Sequence, residues 1–186
     1  MRGKNTKKYW NNHWSDKRAV IHDDFQELIE GIEFKGKVLD IGAGISEDLT
    51  VIMKKYKAEY HALDISEECV KKLVKIGVKA VVFDVKADNP LPYPDDYFDI
   101  VMSKSLLEHI SEKDCIYLSK EVKRILKPNG LYIVHCSDEN WQDVAHVWHG
   151  NVGITTEEFK KIHRNFKEIN YIKNNKIHLA IYEAVK

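Results

Sequence analysis

The stretch Val38-Leu39-Asp40-Ile41-Gly42-Ala43-Gly44 constrains this chain more than any other. A short apolar run ends around an acid and breaks at once into a turn with two glycines. A buried parallel strand passes into a helix in this way when its backbone must stay bare enough to meet a ligand. Glycine takes positive φ there without a clashing Cβ. The same turn also serves as a tight strand-to-helix connection with no ligand, so its meaning depends on what surrounds it.

The dinucleotide fingerprint G-x-G-x-x-G places its third glycine where the helix packs closely under a pyrophosphate. Gly42 and Gly44 fit the first two positions, but Glu47 occupies the third. A carboxylate at a helix start repels an anion seeking the positive end of the helix dipole. Asp40 adds a second negative charge beside the turn. The pattern suits a phosphate-free nucleoside ligand with cationic groups, of which S-adenosylmethionine is one.

Periodicity and capping signals organise the rest. Asp16 caps a helix in which Ile21, Phe25, Leu28, Ile29 and Ile32 recur at helical spacing, with Gly31 near its end. Strands are expected at Lys37–Ile41 and at Tyr60–Leu63, the latter ending at Asp64. Leu49, Ile52 and Met53 give the helix between them its apolar side. Ser66 caps a helix with Val70, Leu73, Val74 and Ile76, closed by Gly77. Ala80–Phe83 reads as a buried strand ending at Asp84. Three prolines make 86–96 a loop, and Phe98–Met102 is a fourth strand. Ser111 with Asp114 opens a helix that runs to Leu126 and stops at Lys127-Pro128-Asn129-Gly130. Leu131–His135 is a fifth strand, Thr155 with Glu158 is a capping box, and Phe166–Ile172 pairs with Ile177–Val185 across Asn174-Asn175.

Alternating strands and helices predict an α/β fold, Rossmann-like and doubly wound. The expected sheet is mostly parallel and seven-stranded, with an antiparallel C-terminal hairpin strand and helices on both faces. At 186 residues the chain reads as one domain, with an N-terminal arm and helix over 1–35 and a core over 36–186. Lys and Arg total 29, as do Asp and Glu, so no net charge favours long nucleic acid or an anionic membrane. Cys69, Cys115 and Cys136 have no metal-type spacing and read as reduced thiols. With no apolar leader or membrane-length run, a cytoplasmic protein is expected, without metal.

Three successive strands end in an acid: Asp40, Asp64 and Asp84. In an open parallel sheet that rim is where a ligand lies. Asp64 falls about twenty residues past the glycine turn, where an acid grips ribose hydroxyls in dinucleotide enzymes. Any one of them alone reads as a loop-start or capping aspartate; in register they point to one site.

With those residues in place, the chain resembles a class I S-adenosylmethionine-dependent methyltransferase of the small, core-domain type. The resemblance rests on KVLDIGAG (37–44), HALDIS (61–66), LPYPDDYFDIVMSKSLLEHI (91–110) and LKPNGLYIV (126–134). It implies that Asp40 and the backbone of Gly42, Ala43 and Gly44 surround the methionine moiety. It also implies that Asp64 takes the ribose hydroxyls, with Ile65 against the adenine. Asp84 would accept from the adenine amino group beside the backbone of Val85, and Ser103 would line the methionine end. Ser46 stands where the family often has a third glycine.

Methyl transfer from a sulfonium is an in-line displacement, served by alignment, desolvation and, for some acceptors, removal of a proton. His109, His146 and His149 are candidates for that role, with Glu108 and His135 nearby in sequence. Each histidine also has a structural reading, as a loop or helix-start hydrogen-bonding group. Asn89-Pro90-Leu91-Pro92-Tyr93 resembles the signature of amino-group methyltransferases acting on nucleic acid, but it precedes the fourth strand instead of following it. Tyr9, Trp10 and Trp14 form an aromatic cluster that serves either to close over a ligand or to anchor the arm.

The expected function is transfer of a methyl group from S-adenosylmethionine to a small or medium-sized acceptor. The 137–154 loop, with Trp141, His146, Trp148 and His149, is expected to form part of the acceptor pocket. Two rivals are a non-catalytic S-adenosylmethionine-binding regulatory module and a nicotinamide-dependent oxidoreductase. Glu47 and the hairpin count against the second.

Overall fold

A computed structural model describes residues 6–16, 25, 27, 29–45, 47–140, 153–174 and 176–186, without the side chains of 14–16 and 47–50. The elements are α1 (Lys7–Asp16), β1 (Lys37–Ile41), α2 (Glu47–Lys55), β2 (Glu59–Asp64), α3 (Glu67–Lys75) and β3 (Lys79–Val82). They continue with β4 (Phe98–Lys104), α4 (Glu112–Ile125), β5 (Leu126–Ser137), α5 (Thr156–His163), β6 (Lys167–Lys173) and β7 (Ile177–Glu183).

The seven strands form one sheet in the order β3-β2-β1-β4-β5-β7-β6. β1 to β5 are parallel, whereas β7 runs antiparallel to both β5 and β6. The chain winds outward from β1 to β3 and then crosses back to β4. Strand order therefore reverses between β1 and β4, which opens a crevice at their carboxyl ends.

Alternation along the strands sends side chains to two cores. On one face Leu39, Ile41 and Val101 meet Leu118 and Val122 of α4 and Phe159 of α5. On the other, Val38, Ala62 and Ile100 meet Ile52 of α2, Cys69 and Leu73 of α3, and Phe25 and Ile29. Phe25 and Ile29 are thus buried as the helical spacing predicts; residues 17–24, 26 and 28 of that expected helix lie outside the described residues.

Three capping signals operate as read, whereas Asp16, read as the cap of a following helix, is the last residue of α1. Ser66, Ser111 and Thr155 each take extended backbone and accept a hydrogen bond from the amide three residues on. Three further expectations change. Residues 7–16, read as part of the N-terminal arm ahead of the first helix, form a helix themselves. β3 is not a buried strand but the edge of the sheet, with Val81 and Val82 exposed. In α3 the buried residues are Cys69 and Leu73, while Val74 and Ile76 face solvent.

The Lys127–Gly130 segment ends α4 as expected, yet it also pairs. Asn129, at φ +62°, donates its amide to Ala184 O, and Ala184 returns a bond to Gly130 O. The strand therefore begins at Leu126, with a register shift opposite Phe98 and Ile100. β6, at the other edge, carries a bulge between Glu168 and Asn170.

Candidate cofactor site

The glycine turn follows β1 and closes against β2. Gly42 has φ +69° and Gly44 φ +54°, and the amides of Gly42 and Ala43 both donate to Leu63 O, at 2.8 and 3.2 Å. A Cβ on Gly42 would lie 2.9 Å from Leu106 Cδ1 in the segment after β4. Backbone and Leu106 thus approach each other across the mouth of the crevice, and only glycine leaves the turn bare.

Asp64 ends β2 and is almost wholly buried. Its Oδ2 accepts from Gly44 N–H at 2.9 Å and its Oδ1 from Ser66 N–H at 2.8 Å. Burial pushes the Asp64 pKa up, and these donors oppose the shift. Asp64 therefore locks the glycine turn to the start of α3. Asp40, on the adjacent strand, is buried as well.

Asp84 lies just past β3, half-buried. Its Oδ2 pairs with the Lys86 ammonium, and its carbonyl accepts from Asn89 Nδ2 at 2.9 Å. Its Oδ1 is buried and has no hydrogen-bond partner among the described residues. A buried carboxylate oxygen left so is costly unless a donor arrives from outside the chain. Ile65 and Val85 are half-buried, and Phe83 N–H bonds Asp64 O at 2.8 Å, tying the ends of β2 and β3 together.

Ser103 lies near the end of β4, just before Lys104. It is fully buried, and its Oγ lies 2.9 Å from Tyr132 Oη, on the α4 side of the sheet. A methionine-lining role at this position would fall to backbone.

After β4 comes Ser105, at φ +49°, and a short 3₁₀ turn over Leu107–His109. His109 is half-buried, and Trp10 of α1 meets its ring edge-on with centroids 4.9 Å apart. Asn11 Oδ1 accepts from Ser66 Oγ at 2.9 Å, and Lys7 pairs with Glu67. α1 therefore touches both the start of α3 and the turn after β4. Glu108 is fully buried, with its Oε1 accepting from Ser137 Oγ at 2.9 Å. His135 is buried at the end of β5, 3.4 Å from Ser105 Oγ. His146 and His149 lie outside the described residues.

The Asn89–Tyr93 segment is structural. Arg124 of α4 donates to the carbonyls of Leu91 and Tyr93 at 3.1 and 2.8 Å, and Tyr93 packs edge-on to Phe98. Sequence reasoning missed one neighbour of the rim, Asn11, which holds the side chain of the cap Ser66.

A crevice of this kind, with acid-ended strands around a glycine turn and an antiparallel last strand, defines a class of cofactor-binding α/β domain. The family described as "Methyltransferase domain" matches residues 32–179, and the chain belongs to it as a class I S-adenosylmethionine-dependent methyltransferase domain. Phosphoethanolamine N-methyltransferase of Plasmodium falciparum (isolate 3D7) is 28% identical over 126 residues, which are 63% of this chain and 47% of that protein. The 2-methyl-6-phytyl-1,4-hydroquinone methyltransferase of Synechocystis sp. is 31% identical over 108 residues, 57% of this chain and 33% of that protein. The chain thus spans about half, or less, of the length of these curated relatives. In fold it is similar to a crystal structure from Pyrococcus horikoshii OT3, with TM-score 0.73, 20% identity and coverage of 95% of this chain and 98% of that one. An S-adenosylmethionine-dependent methyltransferase from Aquifex aeolicus gives TM-score 0.69 at 21% identity, with 98% and 100% covered.

Proposed function

We propose that this chain transfers a methyl group from S-adenosylmethionine to a small-molecule acceptor. The observation that carries the reading is the buried Oδ1 of Asp84, without a hydrogen-bond partner among the described residues, on a rim already furnished by Asp40, Asp64 and the bare turn at Gly42. These residues fit the donor: Asp84 has an acceptor to offer an adenine amino group, Asp64 a carboxylate for ribose, and the turn an open backbone beside a buried acid.

When bound, the donor supplies an electrophilic methyl on a sulfonium. The chain's own part is to hold and orient. Asp64 fixes the ribose, Ile65 and Val85 flank the base, and Asp40 with Gly42, Ala43 and Gly44 borders the cationic methionine end. Trp10 and His109 stand beside the crevice, where they exclude water and bound the acceptor's approach. His109, His146 and His149 are the groups proposed to accept a proton from an ionisable acceptor.

A small acceptor is supported by the relatives, whose names carry phosphoethanolamine and a phytyl hydroquinone. A balance of 29 basic against 29 acidic residues argues against a long polyanion. Among the described residues no helix is long and apolar enough to cross a membrane. Three buried cysteines, none in a disulfide, support a reducing, cytoplasmic setting.

Calorimetry with S-adenosylmethionine, S-adenosylhomocysteine and NAD is the first test, and both sulfur ligands should bind. Binding of NAD alone would overturn the reading. Formation of S-adenosylhomocysteine with a panel of amines, phenols and hydroxyl compounds then separates an enzyme from a binding module.

A further inference from the structure

α1 is short and polar, yet it is tied to both sides of the glycine turn. On one side Asn11 Oδ1 accepts from Ser66 Oγ at 2.9 Å. Ser66 is wholly buried, so its hydroxyl must find its partners inside the protein. Its oxygen accepts from the Cys69 amide at 3.3 Å, and its proton points to Asn11. The amide of the same serine donates to Asp64 Oδ1 at 2.8 Å, while Gly44 N–H holds Oδ2 at 2.9 Å. Asn11 thus reaches the buried carboxylate through a single residue. On the other side, Trp10 meets the His109 ring edge-on, with centroids 4.9 Å apart, in the turn after β4. In the sheet β1 lies between β2 and β4. A helix tied beyond the ends of both neighbours therefore crosses the end of β1, where the chain turns through Gly42 and Gly44.

We propose that α1 is a strap across the cofactor crevice and that Asn11 is its positioning residue: by holding the Ser66 hydroxyl it fixes the Ser66 amide on Asp64, and with it the angle the carboxylate presents to the ribose. This rests on Asp64 being the ribose acid, as proposed above. The tie is directional where the ion pair beside it is not. Lys7 and Glu67 are about half exposed, so water screens that pair and it contributes little. The Asn11–Ser66 bond lies against a buried residue, where an unmade hydrogen bond leaves a polar group stranded. Trp10, packed on His109, brings the same helix to the acceptor side, so the seating of α1 joins the two halves of the site. Coupling of this kind is reciprocal. A docked α1 favours the cofactor, and bound cofactor favours a docked α1 by the same factor.

The test measures S-adenosylhomocysteine binding by calorimetry, and hydrogen exchange of the α1 amides, on the full chain and on three variants. Asn11→Leu keeps the size and removes the acceptor. Asn11→Asp keeps an acceptor, and its charge suits the start of α3. Asp64→Asn removes the charge of the ribose acid. Asn11→Leu should bind about fivefold more weakly than wild type, and Asn11→Asp should stay within about twofold of it. Saturating S-adenosylhomocysteine should slow exchange in wild-type α1 by about fivefold and leave it little changed in Asn11→Leu. Equal weakening in the Leu and Asp variants would mean that Asn11 only fills space, and would overturn the proposal. So would exchange in wild-type α1 that ignores the ligand. If Asp64→Asn weakens binding while Asn11→Leu binds as wild type does, the role of Asn11 falls and that of Asp64 stands. If Asp64→Asn binds as wild type does, both fall. Melting curves on each variant keep loss of fold apart from loss of binding.

Discussion

The rim at the ends of β1 to β3 and the packing of α5 on the C-terminal hairpin each bury an ionisable side chain, and they do so by opposite means. At the rim, Asp64 is enclosed but surrounded by donors, which lower the cost of its charge. Under α5, His163 is enclosed by rings. Its Nδ1–H donates to Phe159 O at 2.8 Å, its ring stacks on Tyr182 at 4.8 Å, and its buried Nε2 has no partner among the described residues. Burial drives the His163 pKa down to about 3, with the nearby His178 adding a smaller push. Burial works against the charge in both regions, but one offsets part of the cost with donors and the other offers only rings. That separates the part of the fold that meets a ligand from the part that only has to stay dry.

Acid should break this contrast most visibly. The unfolded chain protonates His163 near pH 6.5, whereas the folded chain resists until about pH 3, so the unfolded state binds more protons between the two. Stability from this group is fully present above pH 6.5 and drains away as pH falls. The loss between pH 7 and pH 4 is about 3 kcal/mol. Asp64 works in the reverse sense. Its folded pKa lies above its unfolded one, so the folded state takes up its proton first, which favours the fold in acid and is lost as pH rises. Urea midpoints taken across this range should therefore fall less steeply in His163→Phe than in wild type. In Asp64→Asn they should fall more steeply. Parallel curves in all three proteins would show that neither burial governs the acid limb.

Next in size is cofactor affinity. Asp64→Ala should weaken S-adenosylmethionine binding by about 1–3 kcal/mol, the usual cost of losing a charge-assisted partner. His163→Phe, far from the rim, should leave that constant alone; calorimetry on the two variants side by side tests whether the regions are as separate as their chemistry suggests. Gly42→Ala should cost about 1–2 kcal/mol of stability, because its φ of +69° is left-handed and its new Cβ meets Leu106. Denaturant titration reads that directly. The smallest effect belongs to the sheet edge. Val82→Lys, at an exposed position of β3, should stay within about 0.5 kcal/mol of wild type. A larger loss would mean that this edge is covered in solution.

Much of the rim was legible because it is written in local rules. A glycine pair after an apolar run, an acid near each strand end and Ser66 as a cap are short-range statements; the turn, Asp64 and the cap fall where the spacing puts them, while β3 stops at Val82, two residues before Asp84. What was hidden depends on order in space. Ala80–Val82 has the composition of a buried strand, but its burial is decided by the crossover that leaves β3 outermost. α1 was hidden for another reason. Its Asn, His and Trp content gives little helical propensity, and its docking partners, Ser66, Glu67 and His109, lie far along the chain. Ser103 pairs with Ile41 and Val134, and its hydroxyl meets Tyr132 in the α4 layer, a contact that no local rule announces.

The bulge in β6 bears on a property unrelated to methyl groups. β6 is the outermost strand on its side, seven residues long, with Ile169 and Ile172 exposed. A straight strand of that kind is a template on which another chain can add. The extra residue between Glu168 and Asn170 twists the edge and breaks its regular ladder, while Lys167 and Lys173 charge its two ends. Straightening the bulge by deleting Ile169 would restore a continuous edge, and the cost would appear as fibrous aggregation during concentration or storage.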